Sequence, residues 1–152
     1  MTVSNVRIIG VMVIMAITLS RSASAAAPSG HYVVTAGTVY DTKSQLTWQR
    51  TAPSTTYTWA DAKTYCAGVG ASLGGTGWRL PTTKELVSII DHSQTTAPYI
   101  DLSAFPSTPS DYFWSSTPLA GFPSYAWAVV FAGGGFPVND VISSTYYARC
   151  VR

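Results

Sequence analysis

Short segments of alternating apolar and polar residues follow one another from about residue 31. Residues 31–34, 38–40 and 46–50 have the period of two that is typical of half-buried strands. Gly37 separates the first segment from the second, and the turn-forming side chains of residues 41–44 separate the second from the third. The pattern therefore predicts an N-terminal antiparallel hairpin.

A helical pattern replaces this alternation near the middle of the chain. Trp59 and Cys66 lie seven positions apart, on one face of a helix that we predict from residue 59 to about residue 67. The glycines at positions 68 and 70 are expected to end this helix. Cys66 should therefore point toward the core.

A second helix is predicted from residue 83 to about residue 91. Thr82 and Glu85 have the spacing of a capping box, in which the side chain of each residue accepts a hydrogen bond from the backbone N–H of the other. Leu86 and Ile89 lie three positions apart and provide a buried stripe. This helix should thus begin at a well-defined residue and pack on a sheet.

Polar residues dominate the connection after the second helix. Residues 92–111 are rich in Ser, Thr and Pro, which predicts a long surface loop of the kind in which binding functions concentrate. Four strands are predicted beyond it, at 112–116, 124–131, 136–138 and 145–151, with turns at 132–135 and 139–140. The order of elements predicts an α+β fold, with two helices packed on antiparallel sheets and long loops between them.

The first 25 residues have the features of a secretory signal peptide. Arg7 precedes an apolar run of about a dozen residues, and Ala23-Ser24-Ala25 fits the small-residue cleavage pattern. A membrane anchor is the alternative, but spanning the bilayer takes about 20 apolar residues. We therefore predict a signal peptide (1–25), an N-terminal lead with the first strand (26–38) and one domain (39–152), located in the periplasm or outside the cell.

The charge of the chain argues against one class of partner. The chain has nine Lys and Arg residues and seven Asp and Glu residues. Two of the basic residues, Arg7 and Arg21, belong to the predicted signal peptide. The mature domain is therefore close to neutral and lacks the dense cationic surface that nucleic-acid binding requires. We expect no nucleic-acid partner, and no integral membrane segment after signal cleavage.

Cys66 and Cys150 are the only cysteines of the chain. An exported protein meets oxidising conditions, which favour pairing. A disulfide closing a loop of about 80 residues would stabilise the fold by roughly 4 kcal/mol in the chain-entropy model. The alternative is one reactive thiol and one buried thiol, which requires a nearby base or metal. His31 and His92 are both distant from the cysteines in sequence. We predict the disulfide.

Several motifs follow one another from about residue 39 to the end of the chain. They include Gly77-Trp78-Arg79-Leu80-Pro81-Thr82 and the closing Arg149-Cys150-Val151-Arg152. The motif positions to which we give a structural role are Trp48, Trp59, Trp78, Arg79, Pro81, Thr82, Glu85, Trp114, Trp127 and Arg149. The series resembles the Lcl C-terminal domain family, named for the C-terminal domain of a bacterial collagen-like adhesin.

This resemblance implies a fold related to C-type lectin-like domains and to the core of the formylglycine-generating enzyme. In such folds a cysteine of the first helix commonly bridges to the last strand, which agrees with the pairing predicted above. The adhesin that names the family is associated with binding sulfated polysaccharides. The neutral charge of the mature domain gives that ligand little support here.

The aromatic residues divide into two groups. The five tryptophans are expected to pack in the core, whereas side chains of the predicted loops are candidates for contacting a ligand. We expect residues 94–112, 121–125 and 133–140 to build the ligand face. The candidates are Tyr99, Asp101, Phe105, Asp111, Phe122, Tyr125, Phe136 and Asn139.

Neither a metal site nor a catalytic site is predicted. The acids of the long loop are scattered, and the Glu-Pro-Asn and Trp-Asn-Asp signatures of calcium-dependent lectins are absent. Two lone histidines do not supply the usual ligands of a transition metal. The chain has no nucleophile elbow, and oxidation chemistry would need free cysteines. We expect no cofactor and no enzymatic activity.

The leading hypothesis is a secreted, non-catalytic binding module that recognises a glycan or a protein through its surface loops. The alternative is a structural or assembly subunit of a cell-surface or secreted complex, in which exposed aromatic side chains contact protein. A fold alone does not decide between these functions.

Overall fold

The computed structural model describes residues 30–152, so the predicted signal peptide lies outside the described residues. The described chain contains two three-stranded antiparallel sheets and three helices. Their bounds are β1 (Tyr32–Val34), β2 (Thr38–Asp41), β3 (Thr47–Gln49), α1 (Trp59–Gly68), α2 (Gly70–Leu73), α3 (Thr83–Ser88), β4 (Tyr112–Pro118), β5 (Tyr125–Val130) and β6 (Phe136–Val141). The predicted α+β class is confirmed.

The N-terminal sheet has the order β1-β2-β3 and is extended by the end of the chain. Val151 forms a bridge with Trp48 of β3 on one side and with Arg79 on the other. Backbone hydrogen bonds of 2.9 Å join Thr47 and Arg152 in both directions. We call residues 146–152 the closing segment. It lies between β3 and the chain that leads into α3.

The second sheet has the order β4-β5-β6, with an irregular register in β4 between Trp114 and Pro118. The turn predicted at residues 139–140 is wrong. Both residues belong to β6, where Asn139 pairs with Trp127 and Asp140 pairs with Ala126. Six consecutive cross-strand pairs keep the backbone extended there, which the turn propensity of Asn and Asp does not overcome.

Two hydrophobic cores lie on opposite faces of the β4–β6 sheet. The first, which we call the arginine-side core after the buried Arg149, contains Val39, Trp48, Ala52, Leu86, Ile89, Ile100, Ala104, Phe105, Phe113, Val129, Phe131 and Val151. The disulfide-side core contains Ala62, Cys66, Val69, Trp78, Leu80, Trp114, Ala126, Ala128, Ala148 and Cys150. Phe113 and Trp114 are adjacent and enter different cores, because successive side chains of a strand point to opposite faces.

The first predicted helix is present as α1 and ends at Gly68, as predicted, but Gly70 does not end the helical conformation. A further turn, α2, begins at Gly70 and runs to Leu73. A Cβ atom at position 70 would lie 2.7 Å from the Gly75 carbonyl oxygen, so the chain packs closely against this turn. The glycine thus permits a close approach rather than marking the end of a helix.

The second predicted helix is present as α3 and is shorter than predicted. Its capping box is formed by Thr82 and Glu85, as predicted. The helix ends at Ser88, and the N–H of Ile89 turns to the Leu86 carbonyl at 3.3 Å. Leu86 and Ile89 are buried in the arginine-side core.

The segment at residues 92–111 differs from the predicted surface loop. It contains no helix or strand, but it buries Ile100, Ala104 and Phe105 in the arginine-side core. The Tyr99 N–H donates to the Phe131 carbonyl at 2.8 Å, which fastens the segment to the end of β5. The segment is therefore part of the core structure.

Candidate functional site

The predicted disulfide between Cys66 and Cys150 is confirmed. The two Cα atoms are 5.2 Å apart, and both residues are completely buried in the disulfide-side core. The bond joins α1 to the closing segment, so the residues that flank the two cysteines are held next to each other. Tyr65 directly precedes Cys66, and Tyr146 lies four residues before Cys150.

Arg149 is completely buried on the opposite side of the closing segment. Its guanidinium donates to the carbonyls of Gln49 and Arg50 at 2.9 and 2.6 Å, and to the Thr108 hydroxyl at 2.7 Å. It also lies 4.9 Å from the centre of the Phe105 ring. Burial lowers the pKa of Arg149 to about 9, so the group stays charged at neutral pH.

The tryptophans divide into two sets. Trp48, Trp78 and Trp114 are buried in the cores, whereas Trp59 and Trp127 are half-buried. The Trp59 indole donates to the Ser115 carbonyl at 2.7 Å and carries Lys63 Nζ at 3.4 Å from its ring centre. The two half-buried rings therefore contribute to the surface as well as to packing.

The predicted ligand face is divided between the two ends of the β4–β6 sheet. The turn that contains Phe122 precedes β5, and the turn at residues 133–135 follows it. The six residues of β5 separate these turns by roughly 17 Å. Tyr125 shares a sheet face with Val129, whereas Phe136 lies on the other face beside Val130. Phe122 and Tyr125 do come together, with ring centres 6.3 Å apart.

Three other candidates are linked to the end of β5. Tyr99 donates its N–H to the Phe131 carbonyl at 2.8 Å, the Phe131 N–H donates to the Asp111 carbonyl at 3.1 Å, and Phe136 pairs with Val130. Phe105 is completely buried and Asp101 nearly so, which removes Phe105 from any surface that could stack on a ligand. Tyr99 is half-buried, while Asp111 and Asn139 are exposed. The structure therefore divides the candidates between the two ends of β5, and their role in ligand binding stays a prediction.

An aromatic strip crosses the disulfide-side face instead. We define it as Phe136, Tyr112, Tyr146, Tyr57 and Tyr65. Tyr112 stacks on Tyr146 and Tyr57 stacks on Tyr65, each pair with ring centres 4.9 Å apart. Tyr57 and Tyr146 are backbone bridge partners, and Phe136 and Tyr112 both pair with Val130 from opposite sides. The strip thus consists of two stacked tyrosine pairs joined by a backbone bridge, with Phe136 about 10 Å from Tyr112 across Val130.

The two ends of the strip differ in exposure. Phe136 is 48% exposed and Tyr112 is 37% exposed, whereas Tyr57, Tyr65 and Tyr146 are half-buried and pack on the disulfide-side core. The Trp114 ring lies 4.7 Å from that of Tyr146. The rings are therefore supported from below by tightly packed side chains, which fixes their positions.

Asp140 provides an acidic group beside the strip. The Tyr146 hydroxyl donates to its Oδ2 atom, and the Ser144 hydroxyl donates to the same oxygen at 3.1 Å. The Tyr146 hydroxyl is the main cause that holds the pKa of Asp140 below its ordinary value. Burial, with Asp140 as the second cause, raises the pKa of Tyr146 to about 12. The strip thus carries one carboxylate and neutral phenols at physiological pH.

Sequence reasoning named Phe136 and included Tyr112 at the end of a predicted ligand-face range, but it missed Tyr57, Tyr65 and Tyr146. A usable signal was present for one of them: once Cys66 is paired with Cys150, the preceding Tyr65 must lie near the end of the chain. The position of Tyr57 depends on its long-range bridge to Tyr146, for which the sequence has no local signal.

Residues 30–152 contain no group of three or more His, Cys, Asp or Glu side chains arranged to hold a metal ion. Within the same range, no helix is long and apolar enough to cross a bilayer.

Comparison with known proteins agrees with the motifs. The family model described as the Lcl C-terminal domain matches residues 37–152, which is most of the chain. No curated protein matches the chain significantly. The matched range includes both cysteines, the whole β4–β6 sheet and all five residues of the strip.

Proposed function

We propose that this chain, which belongs to the Lcl C-terminal domain family, is an extracytoplasmic, non-catalytic binding module that receives a glycan on its aromatic strip. The observation that carries the proposal is that two stacked tyrosine pairs, joined by the Tyr57–Tyr146 bridge, lie on one face together with the exposed Phe136. The adhesin-like family and the disulfide support a location outside the cytoplasm.

The chemistry of the strip suits a sugar chain. The apolar C–H faces of sugar rings pack against aromatic rings, while sugar hydroxyls need polar partners close by. Phe136 and Tyr112 offer the more exposed rings, and Asp140 and the tyrosine hydroxyls offer acceptors and donors. Because the strip carries a carboxylate, a neutral glycan fits it better than a sulfated one.

We also infer that the fold is of the C-type lectin-like kind. The bridge from the first helix to the closing segment supports this inference, and so does the position of that segment beside the N-terminal hairpin. The absence of catalysis remains part of the proposal. Its support is that both cysteines are joined in a disulfide, which leaves no free thiol in the chain.

A glycan array with the exported protein tests the proposal, with and without calcium. We expect selective binding of a neutral glycan, and at least a tenfold loss of affinity in the double variant Tyr112→Ser and Phe136→Ser. Two lost ring contacts at about 0.7 kcal/mol each account for that factor. The matched control is Phe122→Ser, because Phe122 is 58% exposed and lies outside the strip.

Three results would contradict the proposal. Binding lost in Phe122→Ser but kept in the double variant would place the site elsewhere. Preference for sulfated glycans would contradict the charge argument. A blank array, together with an envelope protein that copurifies with the wild type and not with the double variant, would favour the alternative of an assembly subunit.

A further inference from the structure

A small cleft lies on the arginine-side face, away from the aromatic strip. Its volume is about 120 Å³, and it is lined by His31, Tyr32, Ser88, Ile89, Ile90, Asp91 and Asp101. The cleft thus lies between the first strand, the end of α3 and the segment that follows. A liquid water occupies about 30 Å³, so this space is large enough for a short alkyl chain with a polar head.

The walls of the cleft combine apolar surface with aromatic rings. Ile89 and Ile90 supply the apolar side. The His31 and Tyr32 rings are stacked with their centres 4.3 Å apart, and the edge of Tyr32 meets Phe105 in the core at 5.2 Å. Because this ring pair is anchored on buried residues, the wall is positioned before any ligand arrives.

The cleft is also electrically negative. Asp91 and Asp101 line it, and Asp41 lies directly behind His31, with 3.1 Å between its Oδ1 atom and His31 Nε2. Burial is the largest cause that raises the pKa of Tyr32, and the charges of Asp41, Asp101 and Asp91 raise it further. No Lys or Arg belongs to the lining residues.

We propose that this cleft binds a primary alkylammonium group, of the kind carried by a lysine side chain or a polyamine. The methylene groups would lie along the two isoleucines, and the charged head would lie between the Tyr32 ring and the Asp91 carboxylate. An ammonium group gains from both partners, because aromatic faces and carboxylates attract cations. The site is independent of the glycan proposal, since it lies on the other face of the sheet.

The experiment titrates the exported protein with n-butylammonium chloride while backbone amide NMR signals are recorded. We expect saturable shifts confined to residues 31–32, 88–91 and 101, with affinity in the millimolar range. The neutral isostere n-butanol, at matched ionic strength, should shift these signals far less. N-acetyl-lysine amide and 1,4-diaminobutane then distinguish a peptide source from a polyamine source.

A charge variant and its control sharpen the result. Asp91→Asn can keep the acceptor of the Ser93 N–H at 2.9 Å, loses the one that Gln94 Nε2 uses at 2.6 Å, and should weaken butylammonium binding about threefold to fivefold. Gln94→Ala loses the same contact without loss of the charge and should leave the affinity unchanged. Asp61→Asn removes an equal charge on α1 and should leave the affinity unchanged. Equal shifts by butanol, no saturable shift in the wild type, or equal weakening in Asp91→Asn and either control variant would each overturn the proposal.

Discussion

The closing segment is attached by different interactions on the two faces of the β4–β6 sheet. On one face the sulfurs of Cys66 and Cys150 join α1 covalently to the closing segment. On the other face the Arg149 guanidinium holds the same segment with hydrogen bonds to two carbonyls and a hydroxyl. Adjacent residues of one segment thus fasten both cores, because their side chains point in opposite directions.

The alternation continues along the whole closing segment. Tyr146, Ala148 and Cys150 pack with the disulfide-side core, while Tyr147 and Val151 pack with the arginine-side core. A segment that pairs with β3, with β4 and with residue 79 therefore joins both sheets as well as both cores. This short stretch therefore connects the two halves of the domain.

The faces also differ in what they show to solvent. The disulfide side carries the aromatic strip on a covalently fixed base, whereas the arginine side carries the acidic cleft at the end of α3. A covalent bond keeps its strength under acid and high salt, while hydrogen bonds to charged groups depend on solvent conditions. Changes to each face should therefore have distinguishable consequences.

The largest expected effect comes from removing the disulfide. The double variant Cys66→Ala and Cys150→Ala should lose about 4 kcal/mol of unfolding free energy, because the unfolded chain regains the freedom of a loop that spans 84 residues. Urea unfolding followed by tryptophan fluorescence measures the loss. The wild type in reductant should lose a similar amount, and equal stability of the oxidised and reduced forms would contradict the prediction.

A somewhat smaller effect is expected on the arginine side. Arg149→Met should cost about 3 kcal/mol, because the Gln49 and Arg50 carbonyls and the Thr108 hydroxyl each lose a buried partner. The matched control is Arg152→Met, since Arg152 is exposed and its contact is with the Trp78 ring. A loss in Arg149→Met no greater than in the control would show that the disulfide alone secures the closing segment.

Much of this frame could be predicted from local patterns. The capping box of Thr82 and Glu85, the position of Cys66 on the buried face of a helix, and the alternation near residues 145–151 all depend on neighbours in sequence. The covalent link follows from composition and compartment. These features are short-range or depend on one pair of residues, which is why they are readable without a structure.

The positions of the candidate ligand residues were harder to predict, for two reasons. Successive turns of an antiparallel meander lie at opposite ends of the sheet, so residues 121–125 and 133–135 do not form one face. Burial of Phe105 depends on long-range packing against Tyr32 and Arg149, which hydropathy does not reveal in a segment without periodicity. The first error was avoidable from topology, whereas the second required the tertiary structure.

The smallest expected effect concerns acid sensitivity at the two helix starts. Glu85 accepts two hydrogen bonds from Arg79, at 2.7 and 2.8 Å, and one from the Thr82 N–H at 2.7 Å. The Arg79 hydrogen bonds are the largest cause that lowers the pKa of Glu85 from 4.5 to about 2. At the start of α1, the Asp61 carboxylate accepts a hydrogen bond from the neutral Thr58 hydroxyl, and the Asp61 N–H donates to the same hydroxyl oxygen.

A carboxyl with a lowered pKa in the folded state stabilises the protein above its unfolded pKa, and this contribution disappears as the pH falls toward the folded value. Glu85→Gln should therefore cost about 1 kcal/mol at pH 7, discounted because Arg79 is 46% exposed, and the cost should vanish between pH 4.5 and pH 2. Asp61→Asn should cost less than about 0.5 kcal/mol at pH 7. Urea titrations across this pH range measure both variants. If the pH profiles of the two variants coincide, the Arg79–Glu85 pair at the start of α3 adds no stability beyond that of the neutral cap of α1. The difference between the two faces would then depend on Arg149 alone.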